Sequence, residues 1–183
     1  AMEKVERLKR ELAYTGTVLK VYKDTVQVPN GNRAVWDYIH HDGAAAVVPV
    51  RDDGKILMVR QYRNALDRFT LELPAGKVDE PDEPRIECAK RELEEETGYR
   101  SDHLELLITV NTTVAFCDEQ IEIYLAKDLT ATKQNLDEDE EIDVEAYTLD
   151  ELCGMIFRRE LRDSKTVAGI LAYQAKLQAE NKG

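Results

Sequence analysis

Polar and apolar residues alternate through much of 15–28 and stop at Pro29-Asn30-Gly31-Asn32, a strong turn signal. Arg33–His40 resumes a strand pattern, so the chain is expected to begin with an antiparallel hairpin. Residues 43–49 are small and apolar and read as a buried strand despite their weak β-propensity. Asp52-Asp53-Gly54 is a turn, followed by strand patterns over 55–62 and 69–73. A helix comes next, with Pro84 suited to its first position, Gly98 to its C-terminal side, and Ile86, Ala89 and Leu93 as its apolar stripe. His103–Asn111 and Gln120–Lys127 are predicted strands, 136–142 an acidic loop and 143–147 a brief strand. Thr148-Leu149-Asp150-Glu151 is a capping box that starts another helix. Residues 165–180 form a final amphipathic helix, with Val167, Ile170, Leu171 and Leu177 on one side and Gln174 interrupting them. Strands with separate helices between and after them point to an α/β fold, a mixed sheet sandwiched by helices.

At 183 residues and 20.9 kDa the chain has room for one good-sized core. Its 37 acidic against 25 basic residues give a net charge of -12, a field that repels nucleic acid and anionic lipid surfaces. A small phosphorylated substrate stays compatible, because a metal ion inverts the field locally. Cys88, Cys117 and Cys153 are widely spaced without a CxxC pair, and His40, His41 and His103 make no metal pattern; neither a disulfide framework nor a zinc site is expected. The first residues carry no apolar run of the signal-peptide kind, and no stretch is long and apolar enough for a membrane span, so a cytoplasmic location is the expectation.

The most telling segment is Arg91-Glu92-Leu93-Glu94-Glu95-Glu96-Thr97-Gly98. Glu92, Glu95 and Glu96 recur at i, i+3 and i+4, on one side of a helix, where like charges oppose helix formation. A hard divalent cation ligated by carboxylate oxygens reverses the sign of that interaction. The competing reading is a solvated acidic face in an acidic protein.

Gly76, Glu83, Arg91-Glu92-Leu93, Glu95-Glu96 and Gly98-Tyr99 resemble the Nudix box, G-x5-E-x7-R-E-U-x-E-E-x-G-U with U a bulky apolar residue. Every interval from Glu83 onward matches; six residues stand between Gly76 and Glu83, one more than the pattern has. The resemblance implies a Nudix α/β/α sandwich with a mixed sheet, here over 43–183. It also implies an N-terminal hairpin region over 1–42 that takes part in a homodimer. Val59-Arg60-Gln61-Tyr62-Arg63, Glu72-Leu73-Pro74-Ala75-Gly76 and the acidic run 137–142 look like the ADP-ribose pyrophosphatase branch, which cleaves ADP-ribose to AMP and ribose 5-phosphate.

From that resemblance Mg2+, or Mn2+, would be held by Glu92, Glu95, Glu96, Glu140 and the carbonyl of Ala75. Glu138 would accept the proton of the attacking water, with its neighbours in the run as alternatives of register. Glu95 and Arg91 would support catalysis, Arg91 by pairing with an acid outside the ligand set. Arg33, Arg60, Arg63 and Glu72 would face the substrate. Trp36 and Phe116 compete as the adenine platform, and burial of Trp36 at a dimer interface is the other reading. Glu119 would reach the substrate of the second subunit. Asn111-Thr112-Thr113-Val114-Ala115-Phe116 stands where the branch often has a proline-glycine segment. Another nucleotide sugar, such as GDP-mannose or a UDP-sugar, is the alternative substrate, and a non-catalytic nucleotide-sugar sensor the alternative from a different class.

Overall fold

The computed structural model describes residues 2–17, 19–80, 82–138 and 140–182. The chain divides into two compact units: one comprises the chain up to Gly43 together with Asn111–Gln120, the other Ala44–Val110 and the chain from Ile121 onward.

The first unit is an antiparallel sheet of β1 (Glu6–Thr15), β2 (Lys20–Gln27) and β3 (Arg33–His40) in that order. The expected hairpin is thus β2–β3, with Gln27 opposite Arg33 across the turn, and β1 adds a third strand to it. Every residue of β1 is exposed, so one-sided burial imposes no alternation and ERLKRELAYT carries no readable strand signal. The 111–119 segment is fastened to β3: Ile39 N–H donates to the Phe116 carbonyl at 2.7 Å, and the Asp118 carboxylate accepts from Tyr38, His40 and the His41 N–H.

The second unit is built on β4 (Ala44–Pro49), β5 (Ile56–Arg63), β6 (Arg68–Glu72) and β7 (Ala75–Lys77), followed by helix α1 (Arg85–Thr97). Then come β8 (Tyr99–Arg100), β9 (His103–Asn111), β10 (Gln120–Lys127), β11 (Thr130–Ala131) and β12 (Ile142–Tyr147), and last α2 (Leu149–Phe157) and α3 (Ser164–Glu180). The central sheet has the order β7-β4-β10-β9, with β4 parallel to β10 and antiparallel to β7. A second sheet, β12-β5-β6, is antiparallel throughout.

Strand β4 is buried on both faces, which is why it reads as an apolar run and not as an alternation. Ala44, Ala46 and Val48 join Ile121, Ile123 and Leu125 in the core that receives Leu152 of α2 and Ile170 and Tyr173 of α3. Ala45 and Val47 turn to the opposite face, against Cys88, Ala89 and Leu93 of α1. The expected α/β/α sandwich follows from these two faces. Small residues allow close approach: a Cβ on Gly169 of α3 would lie 2.7 Å from Leu73 Cδ1.

Helix α1 starts one residue later than expected, with Pro84 extended just outside it (φ -61°, ψ 134°). Gly98 ends it in the left-handed conformation (φ 69°), its N–H on the Glu94 carbonyl. The capping box of α2 is formed in both directions, Glu151 N–H to Thr148 Oγ1 and Thr148 N–H to the Glu151 carboxylate.

Candidate metal and substrate site

The acidic side of α1 faces the segment that enters β7. Glu96 is 3% exposed and accepts the Ala75 N–H on Oε2 at 2.9 Å. Glu92 lies one turn earlier, its carboxylate so close to Gly76 that a Cβ there would be 2.0 Å from Oε1. The glycine is required by this approach, not by an unusual backbone angle. Burial, first of all, then the neighbouring charges of Glu95 and Glu140, push the Glu92 carboxyl up to about 7 despite its Arg91 partner. Burial likewise leads for Glu96, with Glu92 and Glu140 adding to it, and takes that carboxyl to about 8. A carboxylate pair whose charged form is penalised in this way is a site that a divalent cation relieves.

Arg91 ties the site to its entry loop. Its Nη1 donates to Glu92 Oε1 at 2.7 Å and Glu95 Oε2 at 3.1 Å, its Nε to Glu83 Oε1 at 3.2 Å, and its Nη2 to the Lys77 carbonyl at 3.1 Å. These acids hold the guanidinium above its ordinary value although burial opposes the charge. Glu83 in turn accepts the Asp79 N–H, and its own N–H meets the Glu80 carbonyl, so the lengthened turn is closed by the same residue that holds Arg91. Among the described residues no three His, Cys, Asp or Glu side chains are gathered tightly enough to enclose an ion by themselves. The donor set nevertheless fits magnesium, which keeps several waters and needs only a few carboxylates with a carbonyl such as that of Ala75.

The acidic loop is anchored beside this helix. Asn135 N–H donates to the Glu95 carbonyl, and Gln134 Nε2 bridges the carbonyls of Glu96 and Ile142. Glu138 and Glu140 are both exposed, and the charge of Glu140 is felt by both Glu92 and Glu96. Asp139, between them, lies outside the described residues.

The basic candidates are engaged with acids. Arg60 pairs with Glu145 across β5 and β12. Arg63 donates through Nε and Nη2 to Glu72 at 2.7 and 2.6 Å. The Glu72 side chain is only 3% exposed and also takes Lys165 Nζ at 2.5 Å. Burial raises its pKa, but Arg63, Lys165 and Thr70 outweigh it and bring the carboxyl down to about 2. Lys165 and Glu145 carry no motif signal; only the fold brings them to these partners. In the first unit Trp36, 48% exposed, and Phe116, 47% exposed, line one cavity of about 640 Å3 with Val21, Val35, Asp37, Ile39 and Ala115. Arg33 is exposed at the start of β3, and Glu119 accepts Thr112 Oγ1 at 2.5 Å.

A profile of the NUDIX domain matches residues 40–169, which include all of the acid helix and its loop. The chain belongs to the Nudix family. Among its Nudix relatives, the ADP-ribose pyrophosphatase of Bacillus subtilis is 39% identical over 175 residues, covering 93% of this chain and 94% of that one. The methanol dehydrogenase activator of Bacillus methanolicus is 42% identical over 166 residues, covering 89% of each. A solved structure of an ADP compounds hydrolase superposes with a TM-score of 0.88 at 21% identity, covering 100% of this chain and 99% of that one, which establishes the shared Nudix fold. No helix among the described residues is long and apolar enough to cross a membrane.

Proposed function

We propose that this protein hydrolyses the diphosphate of ADP-ribose, releasing AMP and ribose 5-phosphate. The observation that carries this reading is the pair of half-buried Glu92 and buried Glu96 against the Ala75–Gly76 backbone, a donor set suited to a hard divalent cation. The pyrophosphatase relative, matched over nearly its full length, supports the substrate. A divalent cation held there, Mg2+ or Mn2+, would supply charge neutralisation for the diphosphate oxygens and acidify the attacking water. Glu92, Glu95, Glu96, Glu140 and the Ala75 carbonyl are the proposed ligands.

Glu138 accepts the proton of the attacking water through its carboxylate. Arg91 holds the acid helix and the 77–83 turn in one arrangement, which keeps the ligands in register. Arg60 and Arg63 supply guanidinium edges towards the diphosphate, each steadied by an acid, Glu145 and Glu72. In the first unit Trp36 or Phe116, which line one cavity, is the proposed adenine platform, with Arg33 and Glu119 as proposed polar contacts. The protein is proposed to work as a cytoplasmic homodimer, its partner contributing through the 1–42 region.

The test is a panel of nucleotide sugars with Mg2+, separated by chromatography. ADP-ribose is expected to give the highest kcat/KM, with AMP as product. A GDP- or UDP-sugar cleaved much more efficiently would transfer the assignment to that substrate.

A further inference from the structure

The entry into the metal loop is held by a closed ring of charged and hydroxyl groups. Glu72 receives Arg63, Thr70 Oγ1 at 2.6 Å and Lys165 Nζ at 2.5 Å. Lys165 also donates to Asp163 at 3.0 Å, and the same Asp163 oxygen accepts the Thr166 hydroxyl at 2.6 Å. Thr166 Oγ1, fully buried, accepts the Leu73 N–H at 2.9 Å. Because Glu72 and Leu73 are adjacent, as are Lys165 and Thr166, the ring fastens two consecutive residues of one segment to two of the other. Gly169, one turn further along α3, lets the helix backbone sit against Leu73.

Downstream the same segment is held twice more: the Pro74 carbonyl accepts Val47 N–H at 3.0 Å, and the Ala75 N–H reaches Glu96. Buried ion pairs are a weak source of stability, since desolvation offsets their attraction and apolar substitutes are often tolerated. Their geometric specificity is the larger effect when the segment they fix leads directly into a ligand set.

We propose that Lys165 and Thr166 are positioning residues: by clamping Glu72 and Leu73 they set where the Ala75 backbone lies against Glu96. Neither touches the substrate or the cation. The inference rests on the metal-site reading above.

Lys165→Met, Lys165→Arg and Thr166→Val are compared with the wild type by circular dichroism, calorimetric Mn2+ titration and ADP-ribose kinetics at varied Mg2+. Lys165→Met is expected to weaken Mn2+ binding and lower kcat by about tenfold or more, the range seen when outer-shell partners of a metal site are removed. KM for ADP-ribose should move by less than about threefold, as for an interaction not used in ground-state binding. Lys165→Arg should recover most of both losses. Thr166→Val, which leaves the charges paired, should show the same pattern more weakly, and it carries the test if Lys165→Met does not fold.

A folded Lys165→Met or Thr166→Val protein with wild-type Mn2+ affinity and kcat would overturn the proposal, even if its melting temperature fell. If Mn2+ binding weakens as expected but the wild type does not cleave ADP-ribose, the positioning role stands and the substrate reading fails.

Discussion

A methyl group at position 76 would collide with the Glu92 carboxylate, whose Oε1, Cδ and Oε2 are its three nearest atoms. Gly76→Ala is therefore expected to fold, since a side-chain end can swing away, while losing about a hundredfold or more in kcat as a ligand is displaced; circular dichroism and Mg2+-dependent kinetics read the two effects separately. Glu96 gives a pH prediction. Its folded pKa of about 8, and that of Glu92 near 7, lie above the ordinary 4.5, so between these values the folded state holds more protons than the unfolded. The stabilisation they give is complete below pH 4.5 and disappears as pH rises through 7 to 8. In EDTA, calorimetry should show the wild type losing melting temperature from pH 5.5 to about 8.5, and Glu96→Gln losing less. Equal slopes would remove Glu96 as a source of that dependence.

At the scale of elements, α1 was legible because three independent signals agree: an apolar stripe, a glycine stop and charged positions at fixed intervals. Its family was legible from the same residues, since the glycine, the arginine and the acids stand at the intervals of the Nudix box. β1 was not legible, as nothing buries its faces within the chain, and the two-residue strands β8 and β11 are too short for any period. The ring on Lys165 joins residues far apart in sequence and leaves no local mark. The acidic loop stands between these cases: its charge is evident in the sequence, its register is not. Glu138→Gln should bind Mn2+ normally yet lose turnover, whereas Glu140→Gln should weaken Mn2+ binding, as expected for a base and a ligand respectively. If Glu138→Gln stays active and Glu141→Gln does not, the base is Glu141.

For the whole molecule, a net charge of -12 disfavours polyanionic partners, and in the proposed function a cation is what lets the acid helix receive a diphosphate. The β1–β3 sheet exposes Leu8, Leu12, Tyr14, Val35 and Trp36, a set of apolar side chains in keeping with a partner subunit. Sedimentation should give about twice 20.9 kDa at assay concentration, and a species near 20.9 kDa would reject the stable homodimer. The reaction proposed for the Glu92–Glu96 site is cleavage of the ADP-ribose diphosphate with a divalent cation. Its most direct measurement follows AMP and ribose 5-phosphate from ADP-ribose with wild type and Glu96→Gln, each with Mg2+ and with EDTA. The predicted result is equimolar AMP and ribose 5-phosphate from the wild type with Mg2+ alone, and a rate lower by about two orders of magnitude in Glu96→Gln. Near-normal turnover by folded Glu96→Gln, or by the wild type in EDTA, would contradict it.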